Sequence, residues 1–203
     1  GKMWANGIYS GLLFACLSCF VAQWGPSFLS HATTMSLDDA ASMCTTLTLG
    51  LVVSCPLLSV VLPKIENIKL VLSLSALMTS IMLSFVVLFP TMPPALLRTC
   101  LFLCGFFAVS YLSSFTIAHF YVRPGSKSTA IGFTNMLATT FGPLLSLLIA
   151  LMIDAHHDAD LLDGYSLADY QYGMNLLPLC MFLAALVCFF VPTTHKAGVS
   201  DDI

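Results

Sequence analysis

Few residues in this sequence could bond a solute, and those that could stand inside long apolar runs. Gln23 and Trp24 are adjacent, Tyr111 sits among Ser110, Ser113 and Ser114, and Asn135 and Thr139 lie with Thr134 and Thr140. An amide, an indole, a phenol and hydroxyls recognise a small molecule by hydrogen bonds, and none is paired in sequence with an activating base. Polar groups at membrane depth are costly unless they pair or face a cavity, so each is a candidate for a solute cavity. Each also has a plainer role. Trp24 suits an interfacial anchor, with Gln23 serving carbonyls freed near Pro26. The serines and Asn135 suit helix-to-helix hydrogen bonds. His119, near the end of its run, reads as an interfacial histidine, and Arg98 as a side chain that snorkels to headgroups.

Other chemistries find no support. The eight cysteines all fall inside apolar runs, where they act as small hydrophobes; Cys16 and Cys19 have CxxC spacing but no nearby base. Asp154, His156, His157, Asp158 and Asp160 suggest a metal loop. Leu162, however, stands where a third calcium ligand belongs, and no closing Glu follows, so a solvated acidic loop is expected. Ser113 and Ser114 lack the flanking glycines of a nucleophile turn, and no N-P-A half-helix motif of a channel occurs. No enzyme activity, cofactor or metal is expected, and no basic cluster is present to track nucleic acid.

The elements that must position these residues follow from composition. The chain is 58% hydrophobic and 8% charged, with a mean hydropathy of +0.93, whereas a soluble domain carries about 25% charged residues. Its main solvent is lipid. Six runs reach the roughly 20 apolar residues needed to cross a bilayer core, at about residues 8–29, 40–62, 70–89, 95–122, 129–153 and 170–191. None shows the alternation of a membrane strand. The fold class is therefore all-α, a polytopic membrane protein of six transmembrane helices.

Lys2, Lys64, Lys69, Arg123, Lys127 and Lys196 fall on one side if the helices alternate, with only Arg98 opposite. By the positive-inside rule that side, with both termini, is cytoplasmic. Asp38, Asp39, Asp154, Asp158, Asp160, Asp163 and Asp169 fall on the other.

Pro56-Leu57-Leu58-Ser59 in the second run recurs as Pro143-Leu144-Leu145-Ser146 in the fifth, an offset of 87 residues (143 minus 56). The same offset carries the first run onto the fourth. Three spans is an odd number, so the two copies insert with opposite topology, an inverted 3+3 repeat. A proline inside a helix removes a backbone hydrogen bond, tolerable in lipid only beside a neighbour or cavity that serves the freed carbonyl. Pro26, Pro56 and Pro143 with Gly142 therefore mark the first, second and fifth spans as bent and cavity-adjacent. The third and sixth, more uniformly apolar, are expected to be the outer, lipid-facing pair.

Three stretches resemble the C-terminal half, helices 7 to 12, of a bacterial major facilitator superfamily transporter. Gln23-Trp24-Gly25-Pro26-Ser27-Phe28-Leu29 is similar to the W-G-x-P-x-L segment ending helix 7. The run from Pro56 to Lys69 is similar to the degenerate second copy of the G-x-L-S-D-R-x-x-R-R loop, with Val61 at the acidic position and Lys64 and Lys69 keeping basic character. Ser128-Thr129-Ala130-Ile131-Gly132-Phe133-Thr134-Asn135-Met136, followed by Gly142-Pro143, resembles the opening of helix 11.

The resemblance implies secondary active transport of a small solute by alternating access, with or without a coupling ion or proton. The first, second, fourth and fifth spans would line the cavity, and Lys64, Lys69, Arg123 and Lys127 would belong to the cytoplasmic gate and loops. No Asp or Glu stands mid-helix to couple protons. The chain begins Gly1-Lys2 with no initiator Met or signal-peptide pattern, so it is expected to be a piece that lacks an N-terminal six-helix half. The expected location is the bacterial inner membrane, with the lipid bilayer as partner. The competing expectation is a six-helix structural or assembly subunit without transport activity.

Overall fold

A computed structural model describes residues 1–157 and 164–192. Asp158, Asp160, Asp163 and Lys196 lie outside the described residues. Among the described residues there is no strand, and six helices are long and apolar enough to cross a membrane. They are α1 (Lys2–Ala32), α2 (Leu37–Lys64), α3 (Ile68–Leu88), α4 (Pro94–Tyr121), α5 (Pro124–His156) and α6 (Leu167–Phe190). The expected spans are all present. The largest difference is at the start, where α1 begins at Lys2 rather than near residue 8.

The helix starts carry local signals. The Ser36 hydroxyl accepts from the Asp39 backbone N–H at 3.1 Å, and Asp38 and Asp39 put negative charge at the positive end of α2. The Asn67 side chain caps α3 through the Leu70 N–H. Pro94 stands in the first turn of α4, where its missing N–H costs nothing. Ser166 and Asp169 form a reciprocal capping box on α6.

Among the described residues, the backbone departs from α-helix inside three of the spans, apart from 3-10 turns at helix ends. In α1 the segment Cys16–Trp24 is π-helical, a wide turn that ends just before Pro26, which has no N–H for the preceding turn. In α4 the segment Val109–Leu112 tightens to 3-10 geometry with no proline present. In α6 the chain turns at Asn175 before resuming at Leu176. By contrast, α-helix continues on both sides of Pro56 and of Pro143.

In the packing, α1 runs along α5 and also meets α6, α4 runs along α2 and α3, and α3 runs along α6. The helices α2 and α4 cross backbone to backbone. A Cβ at Gly50 would overlap the Phe102 carbonyl, and one at Gly105 the Leu47 carbonyl. Close contact of this kind drives association in lipid, where hydrophobicity alone does not join helices. Gly11 plays a similar part on α1, where a Cβ would come 2.5 Å from the Phe141 ring of α5.

Within this chain the third and sixth spans, expected to be the outer pair, are not the least buried. In α2 and α5 only 17% and 33% of the most apolar stretch is buried, against 39% in α3 and 50% in α6. The reason is mutual: Ser80 donates to the Pro178 carbonyl at 2.8 Å, Ser73 to that of Ala185 at 3.1 Å, and Gln171 to that of Val87 at 2.8 Å, so α3 and α6 cover each other. The most buried helices are α1 and α4.

Candidate solute cavity

Three polar residues singled out from the sequence meet in one place. A cavity of about 250 Å³ is lined by Phe14 of α1, by Tyr111, Leu112 and Phe115 of α4, and by Asn135, Ala138 and Thr139 of α5. Asn135 and Thr139 share a face because they are four residues apart on one helix. Tyr111 is aimed there from the 3-10 segment of α4. Its ring lies 5.4 Å from that of Phe14 and 6.4 Å from that of Phe115, tilted against the first and edge-on to the second. Asn135 lies about 12 Å along the α5 axis from Lys127, at 1.5 Å per residue, so the cavity sits in the half of the bundle nearer the basic turn.

The polar atoms of the cavity are not equally free. The Thr139 hydroxyl donates to its own helix, at 3.0 Å from the Asn135 carbonyl and 3.2 Å from that of Met136. Pro143 has no N–H to return to the Thr139 carbonyl, which leaves that acceptor open beside the cavity. The Tyr111 hydroxyl and the Asn135 amide have no hydrogen-bond partner among the described residues. Asn135 is exposed on the outer face of α5 together with Met136, Thr140, Pro143 and Leu144.

Gln23 and Trp24 lie elsewhere, towards the other end of α1. Trp24 Nε1 donates to the Ser146 hydroxyl at 3.0 Å and so ties the end of the π-helical segment to α5, while Gln23 is exposed. Gly142 is buried beneath Ser18, whose Oγ would stand 2.5 Å from a Cβ there. The Cys19 thiol lies 3.0 Å from the Gly142 carbonyl. Pro26 is half-buried, and Pro56 is exposed like Pro143.

The four basic residues expected at the gate take different positions. Lys64 and Arg123 are exposed. Lys69 donates to the Phe189 carbonyl at 2.8 Å and completes the end of α6. Lys127 Nζ lies 3.3 Å from His119 Nε2 at the turn between α4 and α5.

Sequence reading missed the face of α1 that supports the cavity. Asn6, Tyr9 and Ser10 are fully buried. The Asn6 amide donates to the Ser114 carbonyl at 2.9 Å. The Tyr9 hydroxyl donates to the Leu72 carbonyl at 3.0 Å and lies 2.9 Å from Ser110 Oγ. These residues surround the 3-10 segment of α4 and hold Tyr111 where it is. Their 6, 9, 10 spacing is a helical polar stripe, but a span started near residue 8 leaves Asn6 outside. The Asn6 carbonyl oxygen and the Ser113 and Ser114 hydroxyls, all buried, have no partner among the described residues.

A second polar cluster lies at the opposite end of the bundle. Asp169 is bonded by His156 Nδ1 at 2.6 Å, by His157 Nδ1 at 3.3 Å and by the Ser166 backbone N–H at 2.8 Å. Tyr165 donates to Asp154 at 3.2 Å, and the His31 ring packs 4.7 Å from that of Tyr170. The described part of the expected acidic loop is thus a hydrogen-bonded clasp joining the end of α5 to the start of α6. Among the described residues, no group of three or more His, Cys, Asp or Glu side chains is placed to hold a metal ion.

The cavity can bind a small molecule by aromatic contact and neutral hydrogen bonds, and nothing in its lining activates a nucleophile. The chain matches no protein-family model and no curated protein sequence.

Proposed function

We propose that this chain is a six-helix unit of a secondary transporter of the major facilitator type, which moves a small solute across a membrane by alternating access. The observation that carries this reading is the cavity among α1, α4 and α5, where Tyr111, Asn135 and Thr139 meet on a partly open face of the bundle. Bare polar groups on a lipid-length helix are unfavourable against hydrocarbon and favourable against a water-filled pathway.

The inverted repeat gains support from exposure. Residues 48, 49, 52, 53, 56, 57, 60 and 61 of α2 are exposed, and so are their counterparts 87 positions later, 135, 136, 139, 140, 143, 144, 147 and 148 of α5. The pairing of α1 with α5 and of α4 with α2 is also what exchange of the two halves would produce. Opposite insertion would set the polar start of α2 (Ser42, Thr45, Thr48) and that of α5 (Ser128, Asn135, Thr139) at opposite membrane surfaces. Each would then serve one gate. The exposed faces of α2 and α5 would rock against a second six-helix unit around the solute, with the basic turns on the cytoplasmic side.

The test is uptake into proteoliposomes containing the complete protein, screened against pools of small metabolites. Saturable, solute-dependent flux that falls in Tyr111→Ala and Asn135→Ala, with normal insertion, supports the reading. Absence of flux for every pool favours a structural or assembly subunit.

A further inference from the structure

We infer that the solute held between Tyr111 and Asn135 is uncharged and planar, with a hydrogen-bond donor beside an acceptor, as in a carboxamide or lactam; this rests on the transport reading and concerns the same cavity. No Asp, Glu, Lys, Arg or His lines it among the described residues. An ion entering would give up hydration and find no opposite charge, a cost that neutral ligands escape. The basic groups nearest in sequence are already engaged with each other, Lys127 with His119.

Shape follows from the rings. Phe14, Tyr111 and Phe115 form a tilted wall with centroid separations of 5.4 and 6.4 Å, suited to a flat apolar surface. The same rings could attract a cation, but no carboxylate accompanies them, and their faces and edges are partly occupied by one another. Size is limited too, because about 250 Å³ falls below the range of about 300–1,000 Å³ typical of drug-sized pockets.

Polarity follows from the two unpartnered groups. A phenol both donates and accepts, and so does a primary amide. Tyr111 and Asn135 can therefore satisfy a solute that offers one of each. The open Thr139 carbonyl adds an acceptor for a second N–H.

Three probes of nearly equal shape separate the alternatives: benzamide, benzoate and benzamidinium, titrated against the complete protein in nanodiscs by calorimetry at neutral pH. Benzamide should bind saturably and at least about a hundredfold more tightly than either ion. Asn135→Ala should weaken it about tenfold, the effect of one lost hydrogen bond, and Tyr111→Phe should weaken it while keeping the ring wall. Unchanged helicity by circular dichroism guards against misfolding. Equal or tighter binding of benzoate or benzamidinium, no benzamide binding, or benzamide affinity unchanged in a folded Asn135→Ala protein overturns the inference. Benzamide binding without flux of any solute would remove the transport reading and leave the neutral site standing.

Discussion

The Asn6 amide of α1 donates to the Ser114 carbonyl of α4 at 2.9 Å, a bond between residues 108 positions apart in the chain. It lies just past the 3-10 segment that aims Tyr111 at the cavity, and Tyr9 reaches the same segment through Ser110. The polar stripe of α1 is therefore the support for the site rather than part of it. Its contribution is separable from solute contact, because Asn6 and Tyr9 are fully buried and do not line the cavity.

Tyr9→Phe removes one hydroxyl that bridges α1, α3 and α4. Thermal unfolding in detergent should show a loss of about 1–3 kcal/mol, since Ser110 is left buried with a vacated partner. In a double-mutant cycle with Ser110→Ala the two effects should be non-additive by at least about 0.5 kcal/mol. Strict additivity would mean that the 2.9 Å contact carries no energy.

Glycine substitutions should divide sharply by position. Gly105→Ala and Gly50→Ala drive a methyl into a backbone carbonyl across the α2–α4 crossing. Backbone cannot give way as a side-chain end can, so both variants should lose monodisperse behaviour in size-exclusion chromatography. Gly132→Ala, with nothing within 4 Å of its added Cβ, should be neutral or gain up to about 1 kcal/mol from helix propensity.

Asp169→Asn keeps the shape of the clasp but weakens its bonds to His156 and His157. Backbone hydrogen exchange should speed up at the end of α5 and the first turn of α6, where the capping box is also impaired. Exchange within the α2–α4 crossing should not change. Uniform acceleration across all helices would show instead that the clasp holds the whole bundle together.

Pro143→Ala returns an N–H to the Thr139 carbonyl at an exposed position, so packing is barely touched. Unfolding should become harder by up to about 3 kcal/mol, the helix-interior penalty of proline. If that open carbonyl serves the solute, benzamide affinity should fall at the same time. A stabilised variant with unchanged affinity would remove the Thr139 carbonyl from the site.

Much of the architecture is legible in the sequence. The six spans and the polar set Tyr111, Asn135 and Thr139 are local features, each read within a few turns of helix. The rest depends on packing. Pro56 and Pro143 mark cavity-adjacent helices in the sequence; both rings are exposed in this chain, and Pro143 stands one turn from Thr139 in the cavity lining. Asn6 precedes the apolar run proper, and the 3-10 segment in α4 has no proline or glycine at Val109–Leu112 to announce it.

What the sequence alone determines is that this chain forms six lipid-length helices, because twenty consecutive apolar residues cannot be solvated by water whatever else they touch. What only the tertiary structure decides is which polar atoms remain free. Trp24 is consumed by Ser146 and Asn6 by Ser114, while Tyr111 and Asn135 line one cavity with no hydrogen-bond partner among the described residues. That outcome depends on how each helix is rotated against its neighbours, and rotation is set by close contacts such as Gly50 on Phe102 and Gly11 on Phe141, which join residues far apart in the chain.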